Sequence, residues 1–283
     1  MQLESNLSSG LRLEYLEQGP ASALPIILLH GVTDSCLSFQ PVLRCLPPSV
    51  RAIAISQRGH GNSGVPGSGY TYSDFAADLH EFLDALSIPR AVLVGHSMGS
   101  LVAQRFAIDH PSRVAGLVLA GAFSTLYRDP GLTEFVAASI DPLGDPIPSA
   151  FAREWQLSTT ARPIDPEFLE TVITETQKPP ARVWHATFHA FLETPDFSHE
   201  LAAVSVPTLV VWGDRDTYAG REQQDALLAA IPHARLSIYE GAGHALHWED
   251  PAAFAADVTA FMAEVTNQRS EQTAPSSGVE GKP

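Results

Sequence analysis

The sequence predicts an α/β fold with a mostly parallel sheet, helices on both faces of that sheet and an inserted helical segment. Short apolar runs alternate with helical patterns along the chain, and strands buried on both faces read in this way. The alternation stops between residues 123 and 206, where short helical pieces and prolines replace it. Of the 283 residues, 45% are hydrophobic, which suffices for one large domain with its own core.

Seven strands are predicted from the pattern of apolar residues. The first, residues 11–16, alternates apolar and polar residues as a half-exposed edge strand does. The other six are apolar runs at 25–29, 52–55, 91–94, 116–119, 208–212 and 235–239. Helices that would cover the sheet are predicted at 39–46, 73–86, 97–110, 223–230 and 252–265.

The interruption of the pattern predicts a helical cap at residues 123–205. Its helical pieces are 133–140, 148–157, 166–176, 180–192 and 197–204. An insertion at this point of the chain lies over the carboxyl ends of the strands, where open α/β sheets bind ligands. The core is then formed by residues 1–122 and 206–266. A disordered tail is expected at 267–283, which is rich in Ser, Gln, Glu, Gly and Pro.

Charge and cysteine content exclude several classes of function. The formal net charge is −15, which disfavours binding to nucleic acids and to anionic membranes. No signal peptide is apparent at residues 1–10, and no run of 18 apolar residues could span a membrane. Cys36 and Cys45 lie in one short apolar segment, which favours buried thiols over a disulfide framework. We therefore expect a cytoplasmic protein; its oligomeric state is not predictable.

Ser97 lies in the motif Gly95-His96-Ser97-Met98-Gly99, which has the form G-x-S-x-G. The apolar run 91–94 precedes the motif, and apolar residues at helical spacing follow it. A sharp turn from strand to helix strains the serine backbone, and the flanking glycines relieve crowding. The hydroxyl then projects from a rigid sheet edge. This context predicts that Ser97 is a nucleophile rather than a structural turn residue.

A serine hydroxyl needs a base to take its proton, and a carboxylate to orient that base. The sequence 241–244, Gly-Ala-Gly-His, follows the last predicted strand, and its glycines let His244 point back over the sheet. The strand 208–212 is followed by two aspartates, Asp214 and Asp216, either of which could reach the imidazole. The order serine, aspartate, histidine along the chain is one of the orders in which these three residues occur in serine hydrolases.

Two backbone N–H groups are predicted to form an oxyanion hole. Met98 follows the nucleophile at the N-terminus of a helix, so its N–H is available to a ligand. Val32 follows His30-Gly31 after the strand 25–29, where glycine permits a tight turn towards the serine. Because both donors belong to the backbone, the side chains at positions 32 and 98 matter little for this role.

The chain resembles the capped α/β-hydrolases of the serine esterase and lactonase type, over residues 11–265. The matching motifs are His30-Gly31, Arg58-Gly59-His60-Gly61-x-Ser63, Gly95-His96-Ser97-Met98-Gly99, Gly213-x-x-Asp216 and Gly243-His244. The resemblance implies an eight-stranded sheet, a cap after the sixth strand and no cofactor. Its spacing favours Asp216 as the acid, with Asp214 a structural turn residue. The family often has Asp at the position of Ser56, which is usually structural.

Several apolar and histidine residues, most of them in the predicted cap, could either pack in the fold or line a site. Packing of the cap is the default role of its aromatic residues, and lining an apolar substrate pocket is the second. The predicted pocket residues are Phe123, Trp155, Trp184, Phe188 and Leu246. His185 and His189 have helical i, i+4 spacing, but no third ligand is apparent, so no metal site is expected. His247 is expected to be a packing or surface residue.

The sequence therefore predicts a serine hydrolase that cleaves a carboxylic ester or lactone of a small to medium hydrophobic compound through an acyl-enzyme. One alternative is hydrolysis of a C–C bond, or cofactor-free perhydrolysis, by the same three residues. Another alternative is a ligand sensor that keeps the three residues but turns over slowly and signals through the cap.

Overall fold

Eight strands form one sheet within residues 2–273, the part of the chain that the computed structural model describes; side chains are described through residue 267. The strands are β1 (Gln2–Asn6), β2 (Arg12–Gln18), β3 (Ile26–Leu29), β4 (Ala52–Ile55), β5 (Ala91–His96), β6 (Val114–Ala120), β7 (Thr208–Gly213) and β8 (Arg235–Tyr239). Their order is β1-β2-β4-β3-β5-β6-β7-β8. The pairs β1–β2 and β2–β4 are antiparallel and the others parallel. The predicted fold class is confirmed.

β1 is the strand that the apolar pattern missed. It pairs with β2 at the edge of the sheet, and Ser5 is its one buried residue. An edge strand with no apolar face gives no periodic signal, so only the resemblance pointed to an eighth strand.

Residues of each central strand alternate between two hydrophobic cores, one on each face of the sheet. On β3, Ile27 and Leu29 join one core, whereas Ile26 and Leu28 join the other. The helices of the first face are α2 (Tyr72–Ala85), α3 (Met98–Asp109) and α8 (Arg221–Ala230). Those of the second face are α1 (Gln40–Cys45), α9 (Leu246–Glu249) and α10 (Pro251–Thr273). Successive side chains of a strand point to opposite faces, so a sheet covered on both sides requires apolar residues throughout.

The segment between β6 and β7 is helical, as the interruption of the pattern predicts. Its helices are α4 (Pro130–Phe135), which continues as a π-helical turn at Val136–Ile140, then α5 (Ser149–Ser158), α6 (Pro166–Thr176) and α7 (Ala181–Glu193). Short 3₁₀ helices occur at Cys36–Phe39, Pro111–Arg113 and Ser198–Ala203. Asp129 and Asp165 cap α4 and α6, each accepting a hydrogen bond from the first turn. Proline follows each cap, where its missing N–H costs nothing.

The structure corrects two predictions, one about the C-terminal residues and one about the burial of the cysteines. α10 extends through residues 267–273, which the sequence assigned to a disordered tail; residues 274–283 of that predicted tail lie outside the described residues. Cys36 is buried as expected, but Cys45 is exposed, because it ends the short helix α1 on its solvent side. Among the described helices, none has the length and apolar character that crossing a membrane requires.

Candidate active site

Ser97 occupies a strained turn between β5 and α3. Its backbone has φ 52° and ψ −117°, outside the regions that residues with a side chain prefer. The turn is held by hydrogen bonds. The Ser97 N–H donates to the carbonyl of Ala120 at 3.0 Å, and the Ser97 carbonyl accepts from the N–H of Ser100 at 2.9 Å. Strain of this kind persists only where the surrounding structure fixes the backbone, and it occurs most often at functional sites.

The two glycines of the motif are required by close backbone contacts. A Cβ atom on Gly99 would lie 2.1 Å from the carbonyl oxygen of Leu29, and one on Gly95 would lie 2.2 Å from that of Gly99. These contacts bring the start of α3 against the end of β3. The spacing of the motif therefore reflects packing as well as the turn.

Replacing Gly99 with alanine is expected to destabilise the fold by about 3 kcal/mol or more, because the new methyl group overlaps backbone that cannot move without shifting β3. Urea unfolding of the purified variant measures the loss. Gly67→Ala is the matched control, since a Cβ at the exposed Gly67 meets nothing within 4 Å. Equal stability of the two variants would contradict the packing argument.

His244 and Asp216 form a buried hydrogen-bonded pair. His244 lies in the loop between β8 and α9, and its Nδ1 is 2.8 Å from Oδ2 of Asp216. A carboxylate can only accept, so Nδ1 carries the proton and Nε2 is left as an acceptor. The other oxygen of Asp216 accepts from the N–H groups of Tyr218 and Ala219 at 2.8 and 2.9 Å. Each oxygen of the carboxylate is thus held by at least one donor.

The pKa of Asp216 is set by opposing effects. Burial raises this pKa. The adjacent His244 and the backbone N–H donors lower it by a larger amount, so the pKa of Asp216 lies below its ordinary value. Asp216 therefore stays ionised at neutral pH, as an orienting carboxylate must. Asp214, the other aspartate after β7, is exposed and accepts from the N–H of Gly241 at 2.5 Å. Asp214 thus joins two loops, and the carboxylate that contacts His244 is that of Asp216.

The loop after β3 lies beside the same site. His30 is buried and joins this loop to the one after β4, because its Nδ1 bonds the carbonyl of Gly31 and its Nε2 accepts from the N–H of Gln57. Burial holds the pKa of His30 well below its ordinary value, so the ring stays neutral in this bridge. Neither the Val32 nor the Met98 N–H has a hydrogen-bond acceptor among the described residues.

A cavity of about 370 Å³ opens beside these groups. Ser97, His244 and Val32 all line it. The largest side chains of the remaining wall are aromatic: Phe123, Phe135, Trp155, Phe188, Phe191, Tyr218 and Trp248. Residues of the segment between β6 and β7 supply much of this wall, so the cavity lies between that segment and the carboxyl ends of the strands. A cavity of this size and lining suits a small apolar ligand with a few polar contacts.

Comparison with known proteins identifies the family. A family model described as the alpha/beta hydrolase fold matches residues 25–251, most of the chain. This chain belongs to the alpha/beta hydrolase fold family.

The relatives of this hydrolase-fold chain are named for several different activities. The non-heme chloroperoxidase of Streptomyces lividans is 31% identical over 277 residues, covering 90% of this chain and 97% of that protein. RutD of Variovorax paradoxus (strain S110), put forward as a carbamate hydrolase, is 30% identical over 268 residues, covering 90% and 97%. The structure of a thermophilic esterase from Thermogutta terrifontis is 26% identical with a TM-score of 0.83, covering 94% and 99%.

Two of the predicted pocket residues of this hydrolase-fold chain do not line the cavity. Phe123, Trp155 and Phe188 do line it. Trp184 is buried behind Trp155, with ring centroids 5.8 Å apart. Leu246 starts α9 and packs into the core on the second face of the sheet, with α1 and α10. Helical spacing alone cannot separate the side of a helix that meets a cavity from the side that packs against a neighbouring helix.

Several lining residues had no sequence signal. His96 is buried, its Nε2 lies 3.0 Å from the carbonyl oxygen of His244, and burial lowers its pKa to about 3. The ring centroids of Tyr218 and His244 lie 5.1 Å apart. The motif and the loop that contain these residues were recognised, but the direction of each side chain depends on tertiary contacts. His247 is a fully buried packing residue, with its ring 4.3 Å from that of His96.

The turn after β4 shows how the departure at Ser56 is accommodated. The buried carboxylate of Glu14, on β2, accepts from the Ser56 hydroxyl at 2.9 Å and from the side-chain amide of Asn62 at 2.6 Å. The Ser56 hydroxyl in turn accepts from the N–H of Cys36 at 3.0 Å. A carboxylate from the neighbouring strand thus holds this turn.

The paired histidines of α7 are used structurally. His185 Nε2 lies 3.0 Å from the carbonyl oxygen of Ile140, and His189 Nε2 lies 2.9 Å from Oδ1 of Asp141. Both therefore join α7 to the end of the π-helical turn. Within residues 2–273, no group of three or more His, Cys, Asp or Glu side chains is arranged to hold a metal ion.

Proposed function

We propose that the chain is a serine hydrolase that cleaves a carboxylic ester or lactone of a small to medium hydrophobic compound. The observation that carries this proposal is the buried His244–Asp216 pair beside Ser97, whose strained turn borders the same aromatic cavity. A nucleophile, a base whose tautomer is fixed and an ionised orienting group are the parts that acyl transfer requires.

The proposed reaction has two halves, formation of the acyl-enzyme and its hydrolysis, and the same groups act in both. Ser97 Oγ attacks the carbonyl carbon while His244 Nε2 takes the hydroxyl proton, and Asp216 stabilises the resulting imidazolium. The N–H groups of Val32 and Met98 hold the oxyanion of the tetrahedral intermediate. Its collapse breaks the C–O bond to the alcohol, which leaves with the proton from His244. Water then attacks the acyl carbon and gives a proton to His244. The bond between the acyl carbon and Ser97 Oγ breaks, Ser97 Oγ takes the proton from His244, and the carboxylic acid leaves.

The helices between β6 and β7 act in this proposal as a cap that selects the substrate. They supply Phe135, Trp155, Phe188 and Phe191 to the cavity wall. Trp155 also donates from Nε1 to the hydroxyl of Thr33 at 3.0 Å, which ties the cap to the predicted oxyanion loop. An aromatic wall favours esters of apolar acids or alcohols over peptides and phosphate esters.

Labelling with a fluorophosphonate probe tests the proposed nucleophile. We expect one equivalent of probe on Ser97, located by mass spectrometry of the digested protein, because only an activated serine reacts with it. A panel of p-nitrophenyl esters of increasing acyl length, lactones and carbamates then gives kcat/KM for each bond type. Absence of labelling together with turnover of the panel would reject Ser97 as the nucleophile.

Perhydrolysis is a second candidate, favoured by the similarity to the non-heme chloroperoxidase. In this reaction hydrogen peroxide rather than water attacks the acyl-enzyme, so a peracid forms and Ser97 is regenerated. Peroxide-dependent halogenation of monochlorodimedone in acetate buffer measures it. A kcat for halogenation above that for every ester and lactone in the panel would favour this candidate.

A further inference from the structure

Asp34 is a buried carboxyl group that the proposed mechanism does not use. It lies on the loop after β3, two residues beyond Val32, and is 4% exposed. It also lines the cavity that Ser97 and His244 border. A buried carboxyl group costs free energy unless its surroundings compensate, so its presence beside the aromatic residues of the wall calls for a partner.

One oxygen of Asp34 has a partner and the other does not. Oδ1 accepts from Nε2 of Gln156, on α5, at 3.0 Å. Oδ2 has no hydrogen-bond partner among the described residues. This oxygen lies beside the cavity-lining Gly31, where an added Cβ atom would be 3.2 Å from it. The cavity is thus the side from which a ligand can reach Oδ2.

The lining of the cavity contains acidic residues but neither of the two strongly basic residue types. Three acidic residues line it, Asp34, Asp129 and Glu222, and its lining includes neither lysine nor arginine. Aromatic rings face the same space, with Trp155 at the centre: its ring lies 5.8 Å from Phe188 and 5.9 Å from Tyr218. Ring faces carry a negative quadrupole that attracts cations. Carboxylates and ring faces together favour a positively charged group and disfavour a carboxylate or phosphate.

We propose that the cavity selects substrates that carry a protonated amine, and that the free Oδ2 of Asp34 accepts a hydrogen bond from this amine while the aromatic wall surrounds it. Asp34 is then a specificity-determining residue, and the substrate class is that of amine-bearing esters or lactones. This selectivity rests on the proposed hydrolase function, but binding of the amine can be measured without turnover.

Proton linkage gives the proposal a pH dependence. Burial, opposed in part by Gln156 and reinforced by the nearby Glu175, raises the pKa of Asp34 to about 8. Lys178 pairs with Glu175 at 2.7 Å. His96 Nδ1 lies on the same side of Gly31 as Oδ2 of Asp34, because an added Cβ atom on Gly31 would be 3.0 Å from the one and 3.2 Å from the other. A cation pairs with the ionised form of Asp34, so its binding releases a proton. Below about pH 8, the affinity for a cation should therefore increase as the pH is raised, by up to about tenfold for each pH unit.

Three small probes that differ in charge test the proposal: benzylammonium, benzyl alcohol and benzoate. Isothermal titration calorimetry on the Ser97→Ala variant measures their affinities in the absence of turnover. We expect benzylammonium to bind about tenfold or more tightly than benzyl alcohol, and benzoate more weakly than both. The titration is repeated in two buffers with different ionisation enthalpies. A difference in the observed binding enthalpy between the buffers shows that a proton is released.

Variants of two carboxylates separate a local effect from a general one. Asp34→Asn, which keeps the acceptor for Gln156, should lower benzylammonium affinity about tenfold and leave benzyl alcohol within about twofold. Glu154→Gln makes the same change from a carboxyl group to an amide on the exposed side of α5 and should change neither affinity. Equal affinities for the three probes, or an equal loss in both variants, would overturn the proposal. The fluorophosphonate label reports separately on the hydrolase function, and circular dichroism shows whether Asp34→Asn folds.

Discussion

Replacing Ser97 with alanine should lower kcat on the best ester by about 10⁶-fold, the loss found when a serine nucleophile is removed from an intact catalytic triad. The substitution removes one oxygen, and no other residue lining the cavity offers an activated hydroxyl in its place. KM should change little, because the aromatic wall that binds the substrate is untouched. The remaining rate would come from the oxyanion donors and from substrate binding.

Initial rates across a substrate series give kcat and KM for the variant, with active-site titration to exclude contaminating wild-type enzyme. Ser73→Ala is the control, since Ser73 is an exposed serine on α2, away from the cavity. It should retain wild-type turnover. If Ser97→Ala kept turnover within about tenfold of the wild type, the acyl-enzyme route would be rejected.

Replacing Asp216 with asparagine should lower kcat by about 10⁴-fold with the fold intact. The amide keeps the shape of the carboxylate, but its NH₂ group can donate to Nδ1 of His244, and this favours the tautomer that carries the proton on Nε2. Such a ring cannot accept the Ser97 proton. The variant also loses the negative charge that stabilises the imidazolium.

Asp214→Asn is the matched control for this variant, because it makes the same chemical change two residues earlier in the same loop. Asp214 is exposed and bonds the N–H of Gly241 rather than His244. We expect its kcat to stay within about threefold of the wild-type value. A similar loss in both variants would mean that the loop conformation, rather than the carboxylate beside His244, controls activity.

Much of the fold was predictable because its signals are local. The continuously apolar runs that form β3 to β7 sit between helices on both faces, so each residue contributes to one core or the other. Prolines at helix starts and in loops marked the helical segment between β6 and β7. β1 gave no such signal, because the edge strand exposes most of its side chains and is held by backbone pairing to β2.

The candidate site also has parts that local sequence predicts and parts that depend on tertiary packing. The strand, the glycines and the serine of the motif are consecutive in sequence, so Ser97 could be singled out without a structure. The apolar pattern left Asp214 and Asp216 open, because it does not encode the path of a loop, and only the spacing of the resembled family favoured Asp216. Trp184 and Trp155 belong to different helices, and only their packing decides that Trp155 faces the cavity while Trp184 lies behind it.

By itself, the sequence determined the strand order along the chain, the helical insertion and the strained turn that presents Ser97, since each depends on neighbours within a few residues. The tertiary structure decided which groups surround the cavity: the Asp216 carboxylate on His244, the aromatic wall and the unpaired oxygen of Asp34. These groups come from loops and helices far apart in the chain. Their directions follow from packing and hydrogen bonding between those elements, which no local pattern of residue types specifies.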